Sequence, residues 1–263
     1  MQSSEKDLGK TSTKIRIMLI ESIITPTILA NTETWCNITH EEERLITSLH
    51  HQVLTRTLGL PRSTPYFGII AELNITPYID IIWIKKYLWY FKLIKSDNGR
   101  KAREVLMRQT KEKNSWYSEL KEHSKENEIP IEENKLKQLT KEEYKNKVKT
   151  IIKRVVSKRV EKLKITSKKL RFINPNQKRE MYLEECRISE ARKIMKLRLN
   201  MIKIKSNYGE KELCGSCKKE EETTEHLIEC TGKEKFAQYK MNNPKWLMNI
   251  VELLRNTHQE LFD

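Results

Sequence analysis

Four side chains toward the C-terminal end have the types and spacing of a metal site: Cys214-x2-Cys217-x8-His226-x3-Cys230. Thiolate sulfur and imidazole nitrogen are the donors that zinc favours, and a structural zinc site takes four of them at the corners of a tetrahedron. Gly215 and Ser216 allow a tight turn that aims both flanking sulfurs at one ion. The acidic run Glu220-Glu221-Glu222 returns the chain, and Thr224 is expected to cap a helix beginning near Glu225. His226 and Cys230, four residues apart, then share one helical face. Four protein donors leave no open coordination position, so the expected ion is structural rather than catalytic. Its binding would offset the entropy of ordering a segment poor in core residues. The other cysteines of the five, Cys36 and Cys186, read as ordinary helix residues. An odd number with three clustered beside a histidine argues for reduced thiols and a metal, not a disulfide framework.

Other chemistry is thinly supplied. The four aspartates, Asp7, Asp80, Asp97 and Asp263, are far apart in sequence, so the paired carboxylates of a two-metal polymerase or nuclease are not visible. There is no phosphate-cradling glycine loop and no evident nucleophile–base set. No catalytic residue is assigned. His50 and His51 are expected at a helix surface.

The formal net charge is +15, and it is concentrated. Between Lys141 and Lys205 there are 22 Lys or Arg against 7 Asp or Glu, while the rest of the chain balances. Such a surplus either faces solvent or meets a polyanion, of which nucleic acid is the usual one. The candidate phosphate contacts are Lys153, Arg154, Lys158, Arg159, Arg192, Lys193 and Arg198. Met1 leads into polar residues rather than a signal peptide. Apolar runs such as Ile81-Ile82-Trp83-Ile84 are broken by charge well before the roughly 20 residues that span a bilayer. An intracellular location is expected.

The elements that must carry these residues read as mostly α. The periodicity predicts a helix over 13–24, bent or restarted at Pro26. Thr39 and Glu42 form a capping box before a helix with Leu45, Leu49, Val53 and Leu58 near one face, stopped by Gly59 and Pro61. Thr64-Pro65 and Thr76-Pro77 each start a helix. In the second of these, Trp83, Tyr87, Tyr90 and Ile94 have core spacing among lysines, with Trp89 the candidate for an exposed ring that stacks on a single strand. Asp97-Asn98-Gly99 is a turn, and further helices follow over 100–109 and 111–129. A linker is expected around Pro130. A second capping box, Thr140 with Glu143, opens a basic helix with Tyr144, Val148, Ile152, Val155 and Val156 inward. Asn174-Pro175 opens another, reaching to Ile204, with Met181 among its inward residues. After the cysteine cluster, Phe236, Tyr239, Trp246, Leu247 and Ile250 supply short helices that cover it, one starting at Asn243-Pro244.

These blocks, in order, resemble the C-terminal part of the reverse transcriptase of non-LTR (LINE-like) retrotransposons. The resemblance is carried by Leu19-Ile20-Glu21-Ser22-Ile23-Ile24-Thr25-Pro26 leading to Glu33-Thr34-Trp35, with Ala30-Asn31 where that family often has Tyr-Gly. Leu58-Gly59-Leu60-Pro61-Arg62-Ser63-Thr64-Pro65, Glu72-Leu73-Asn74-Ile75-Thr76-Pro77 and the Cys-Cys-His-Cys knuckle after a basic helix add to it. It implies a flexible N-terminus over 1–12 and a helical thumb-like domain over 13–127. A linker over 128–139, a basic helical region over 140–205, and a zinc knuckle with C-terminal helices over 206–263 would follow. It implies a non-catalytic, nuclear, nucleic-acid-binding module that positions RNA template or target DNA beside a palm domain, since the family's paired-aspartate motif is not in this sequence. The alternative is a structural or protein-interaction module of the same descent.

Overall fold

A computed structural model describes residues 12–96, 101–174, 179–204, 213–232, 236, 241, 243–257 and 259–262. The first residues, the expected turn at Asp97-Asn98-Gly99, the expected helix start at Pro175, and Tyr239 lie outside them. The described residues form an all-α, multi-helix fold, with α1 Thr13–Leu19, α2 Thr25–Ile28, α3 His40–Leu58, α4 Tyr66–Leu73, α5 Tyr78–Lys95, α6 Lys101–Gln109 and α7 Trp116–Asn127. The series continues with α8 Glu133–Gln138, α9 Lys141–Thr166, α10 Tyr182–Glu185, α11 Ile188–Arg198, α12 Thr224–Gly232 and α13 Pro244–Thr257. Among the described residues no single helix is long and apolar enough to cross a membrane.

The chain divides into two compact units, one of residues 1–20, 53–75 and 160–263, the other of residues 21–52 and 76–159. This division differs from the expected domains. The stretch read as a linker, 128–139, holds α8, which packs on α5, and it buries Ile129 and Leu136. The Tyr90 and Tyr144 hydroxyls donate to the Ile131 and Pro130 carbonyls and Arg103 pairs with Glu133, contacts that periodicity over six residues does not reveal. The basic region 140–205 is likewise shared between the units.

In the unit of residues 21–52 and 76–159, α5 is the central helix. Trp83, Tyr87, Tyr90 and Ile94 are buried, as their spacing predicts. Trp83 stacks on His123 with centroids 3.7 Å apart, and the Tyr87 hydroxyl lies 2.8 Å from Nδ1 of the same histidine. Lys86 is fully buried, which is tolerable because Nζ pairs with Glu119 at 2.9 Å and sits 4.5 Å over the Trp83 ring. Both capping boxes form: Glu42 Oε2 accepts from the Thr39 amide at 2.7 Å, and Glu143 Oε2 from the Thr140 amide at 2.7 Å. The cap of α5 is Pro77 rather than Thr76. His50 is buried, not at a surface: it stacks on Tyr78 and its Nδ1 accepts the Tyr78 amide at 3.2 Å. Burial, with His51 beside it, pushes its pKa down to about 3 and keeps the ring neutral. Leu45 and Leu49 are exposed, and the inward face of α3 carries His50, Leu54 and, as expected, Leu58.

Where the chain passes from one unit to the other, α1 runs into a π turn over Ile20–Ile24 before α2. Pro26 has no amide to donate and its ring crowds the carbonyl four residues back, and the wider turn relieves both. Gly59, at φ +66°, ends α3 as expected: its amide reaches the Arg56 carbonyl at 3.3 Å and the Leu60 amide the Thr55 carbonyl at 2.8 Å. The long helix expected up to Ile204 is broken. Cys186 and Arg187 are extended, and the Glu190 carboxylate accepts the Arg187 amide at 3.0 Å, which starts α11 afresh. Asn200 in the left-handed region follows the end of α11, and Met181, expected inward, is exposed. Helix α13 packs on both α11 and α12 and buries Leu247 and Ile250, and Asn243 Oδ1 accepts the Trp246 amide at 3.1 Å.

Candidate metal centre

The turn that carries the first two cysteines is built by backbone hydrogen bonds. The Lys218 amide donates to the Cys214 carbonyl at 2.8 Å, and the Cys214 amide to the Glu220 carbonyl at 2.7 Å. Lys218 takes φ +54°, and Leu213 bridges Glu221 in antiparallel fashion. The chain therefore doubles back within a few residues and delivers α12 beside the turn. The helix is capped by Thr223, whose Oγ1 accepts the His226 amide at 3.1 Å. Thr224, the expected cap, is instead buried and donates its hydroxyl to Asn200 Oδ1, tying α12 to the segment after α11.

One donor atom from each of Cys214, Cys217, His226 and Cys230 lies within 4.8 Å of every other. A tetrahedron with zinc–sulfur bonds of about 2.3 Å has edges of about 3.8 Å, so small side-chain adjustments close the set on one ion. The four side chains are a cluster geometrically suited to coordinate zinc, in the Cys-Cys-His-Cys arrangement the spacing predicts. His226 Nδ1 lies 3.1 Å from Glu220 Oε2, and its Nε2 lies 3.1 Å from Cys217 Sγ. A carboxylate on one ring nitrogen fixes the tautomer and turns the other nitrogen toward the metal. The backbone amide of Lys219, with that of Glu220 and the His226 ring, holds the Cys217 thiol down to about 6. Burial and the neighbouring cysteines push Cys230 up to about 11. Three sulfurs this close repel one another as thiolates, and a divalent cation among them removes that conflict.

The candidate phosphate contacts fare unequally. Lys153, Arg154 and Lys158 are exposed on α9, and Lys193 is half-buried on α11. Arg159 closes on buried Asp80 instead. Arg192 donates through Nε to the Leu58 carbonyl, and its guanidinium fills the space where a side chain at Gly59 would go. Arg198 is fully buried, with Nε donating to Glu72 Oε1 at 2.8 Å and Nη2 to Glu180 Oε1 at 2.7 Å. A buried guanidinium engaged by two carboxylates has no face left for phosphate, so Arg198 is a structural residue. Asp80, Leu58 and Glu72 lie 79, 134 and 126 residues from the arginines they engage, so composition counted all seven as surface charge. Sequence reasoning also missed Glu220. Its signal was only a carboxylate six residues before the ligand histidine.

No protein-family model matches the chain, and no curated protein or solved structure matches it.

Proposed function

We propose that this chain is a non-catalytic, zinc-stabilised nucleic-acid-binding module from a non-LTR retrotransposon reverse-transcriptase system, working in the nucleus to position RNA template or target DNA. The observation that carries the reading is a cationic stripe on α9. Lys147, Arg154 and Lys158 are all exposed and fall at i, i+7 and i+11, which share one helical face. Lys153 is exposed as well, about 100° or more around the helix from that stripe. A straight row of fixed cations meets successive phosphates of a backbone and carries no sequence information by itself. Zinc would hold its own segment in shape rather than react, and the polymerase carboxylates would come from a separate or upstream palm domain.

A structural or protein-interaction module is the second reading, favoured by the engagement of Arg159, Arg192 and Arg198 inside the protein. Titration of labelled RNA and duplex DNA with the zinc-loaded chain at several salt concentrations separates the two. Phosphate contact makes log K fall linearly with log salt, and the double variant Arg154→Gln/Lys158→Gln should make that slope shallower by about 1.4 to 1.8. Absence of binding at low salt would leave the interaction module as the better reading.

A further inference from the structure

We propose that a groove on α5 is a pocket for one unpaired nucleotide, with Trp89 stacking the base and Lys92, Lys95 and Lys141 holding the flanking phosphates; this rests on the nucleic-acid reading above and names its single-stranded ligand. The groove encloses about 890 Å³ and is lined along α5 by Leu88, Trp89, Lys92 and Lys95, and opposite them by Leu139 and Lys141. Pockets of this size hold nucleotide-sized ligands.

Trp89 differs from the other large rings of its helix. Trp83, Tyr87 and Tyr90 are buried, whereas Trp89 is only partly covered and faces the groove. Its ring is open to a cation: Lys92 Nζ lies over it, 5.1 Å from the centroid. A flexible lysine gives up such a position readily, and a base that took it would leave the ammonium free for the adjoining phosphate.

The charge in the groove selects the ligand. Lys85 is already paired with Glu33 at 3.0 Å. Lys92, Lys95 and Lys141 are exposed and, among the described residues, form no ion pair. Lys95 donates to the Lys137 carbonyl at 2.6 Å, which leaves its charge unbalanced. Glu33 also lines the groove and feels Lys92, but one carboxylate already paired with Lys85 leaves a net positive charge around a half-open indole, which calls for a ligand that is anionic and carries a flat aromatic face. A duplex keeps its bases stacked and cannot offer one, so the ligand is a single strand.

The test uses the full zinc-loaded chain with a short labelled oligouridylate and, separately, a labelled RNA duplex. Trp89→Ala should weaken oligouridylate binding about tenfold and leave duplex binding unchanged, and Trp89→Phe should retain most of the affinity. If Trp89→Ala unfolds the chain by circular dichroism, the surface variant Lys92→Gln/Lys95→Gln takes its place. It should flatten the oligouridylate salt dependence by about 1.4 without altering that of the duplex. Equal loss for both ligands, or no loss for either, overturns the pocket while nucleic-acid binding itself stands. A wild-type chain that binds neither ligand overturns both.

Discussion

The guanidinium of Arg159 grips the carboxylate of Asp80 with two parallel hydrogen bonds, Nη1 to Oδ2 at 2.8 Å and Nη2 to Oδ1 at 3.0 Å. The aspartate is completely buried in the first turn of α5 and the arginine lies two turns from the end of α9. Burial raises the Asp80 pKa, Arg159 opposes that rise, and Glu43 adds to it. A two-pronged pair of this kind fixes the register of one helix on the other.

Arg159→Ala should therefore act on stability and not on nucleic-acid binding. It leaves a buried carboxylate without its partner, at a cost of about 3 kcal/mol. Adding Asp80→Asn should recover part of that loss, because the orphaned charge is gone. Urea unfolding of the two variants checks the order. A variant Arg159→Ala of undiminished stability but weaker RNA binding would return Arg159 to the list of phosphate contacts.

Arg198, Glu72, Glu180 and Tyr182 form a second buried polar network, in which the Tyr182 hydroxyl donates to Glu72. Burial, with Glu72 beside it, lifts Glu180 to about 7 although Arg198 pulls the other way. The folded chain thus holds a proton on Glu180 that the unfolded chain, with its ordinary carboxyl near 4.5, has already lost. Its contribution to stability should be greatest below pH 4.5 and decline as pH rises to about 7. Glu180→Gln should flatten that part of the profile, as measured by urea midpoints across the window. Arg198→Ala should destabilise by about 3–5 kcal/mol above pH 7, where it strands both buried acidic partners, and by less at lower pH, where Glu180 carries its proton.

Zinc should be present at about one ion per chain and should be lost on strong chelation. Removal should loosen α12 and the turn before it, because three thiols and an imidazole no longer have a common partner. Cys214→Ser, at the one fully buried ligand, should abolish zinc retention in native mass spectrometry. Glu220→Gln should weaken zinc affinity about tenfold or more by withdrawing the carboxylate that orients His226. A chain that retains the same thermal unfolding after chelation would refute the structural role of the metal.

What the sequence determined on its own is what depends on neighbours along the chain. The capping boxes at Thr39/Glu42 and Thr140/Glu143, the stop at Gly59, the inward stripe of α9 and the four metal ligands all arise within one or two helical turns or a single tight loop. For the caps and the helix stripe residue type and spacing state the interaction; for the metal site they give the two ligand pairs, which the doubling back at Leu213 and Glu221 brings together. The tertiary structure decided which cations are free and which apolar side chains find cover. Arg159 meets Asp80 across 79 residues and Arg198 meets Glu72 across 126, so no spacing rule announces that either charge is consumed inside the protein. Leu45, Leu49 and Met181 have inward periodicity yet stay exposed, while His50 goes in. A helix can present any of its faces to a core, and the face that is buried is set by the partner surface rather than by the helix alone.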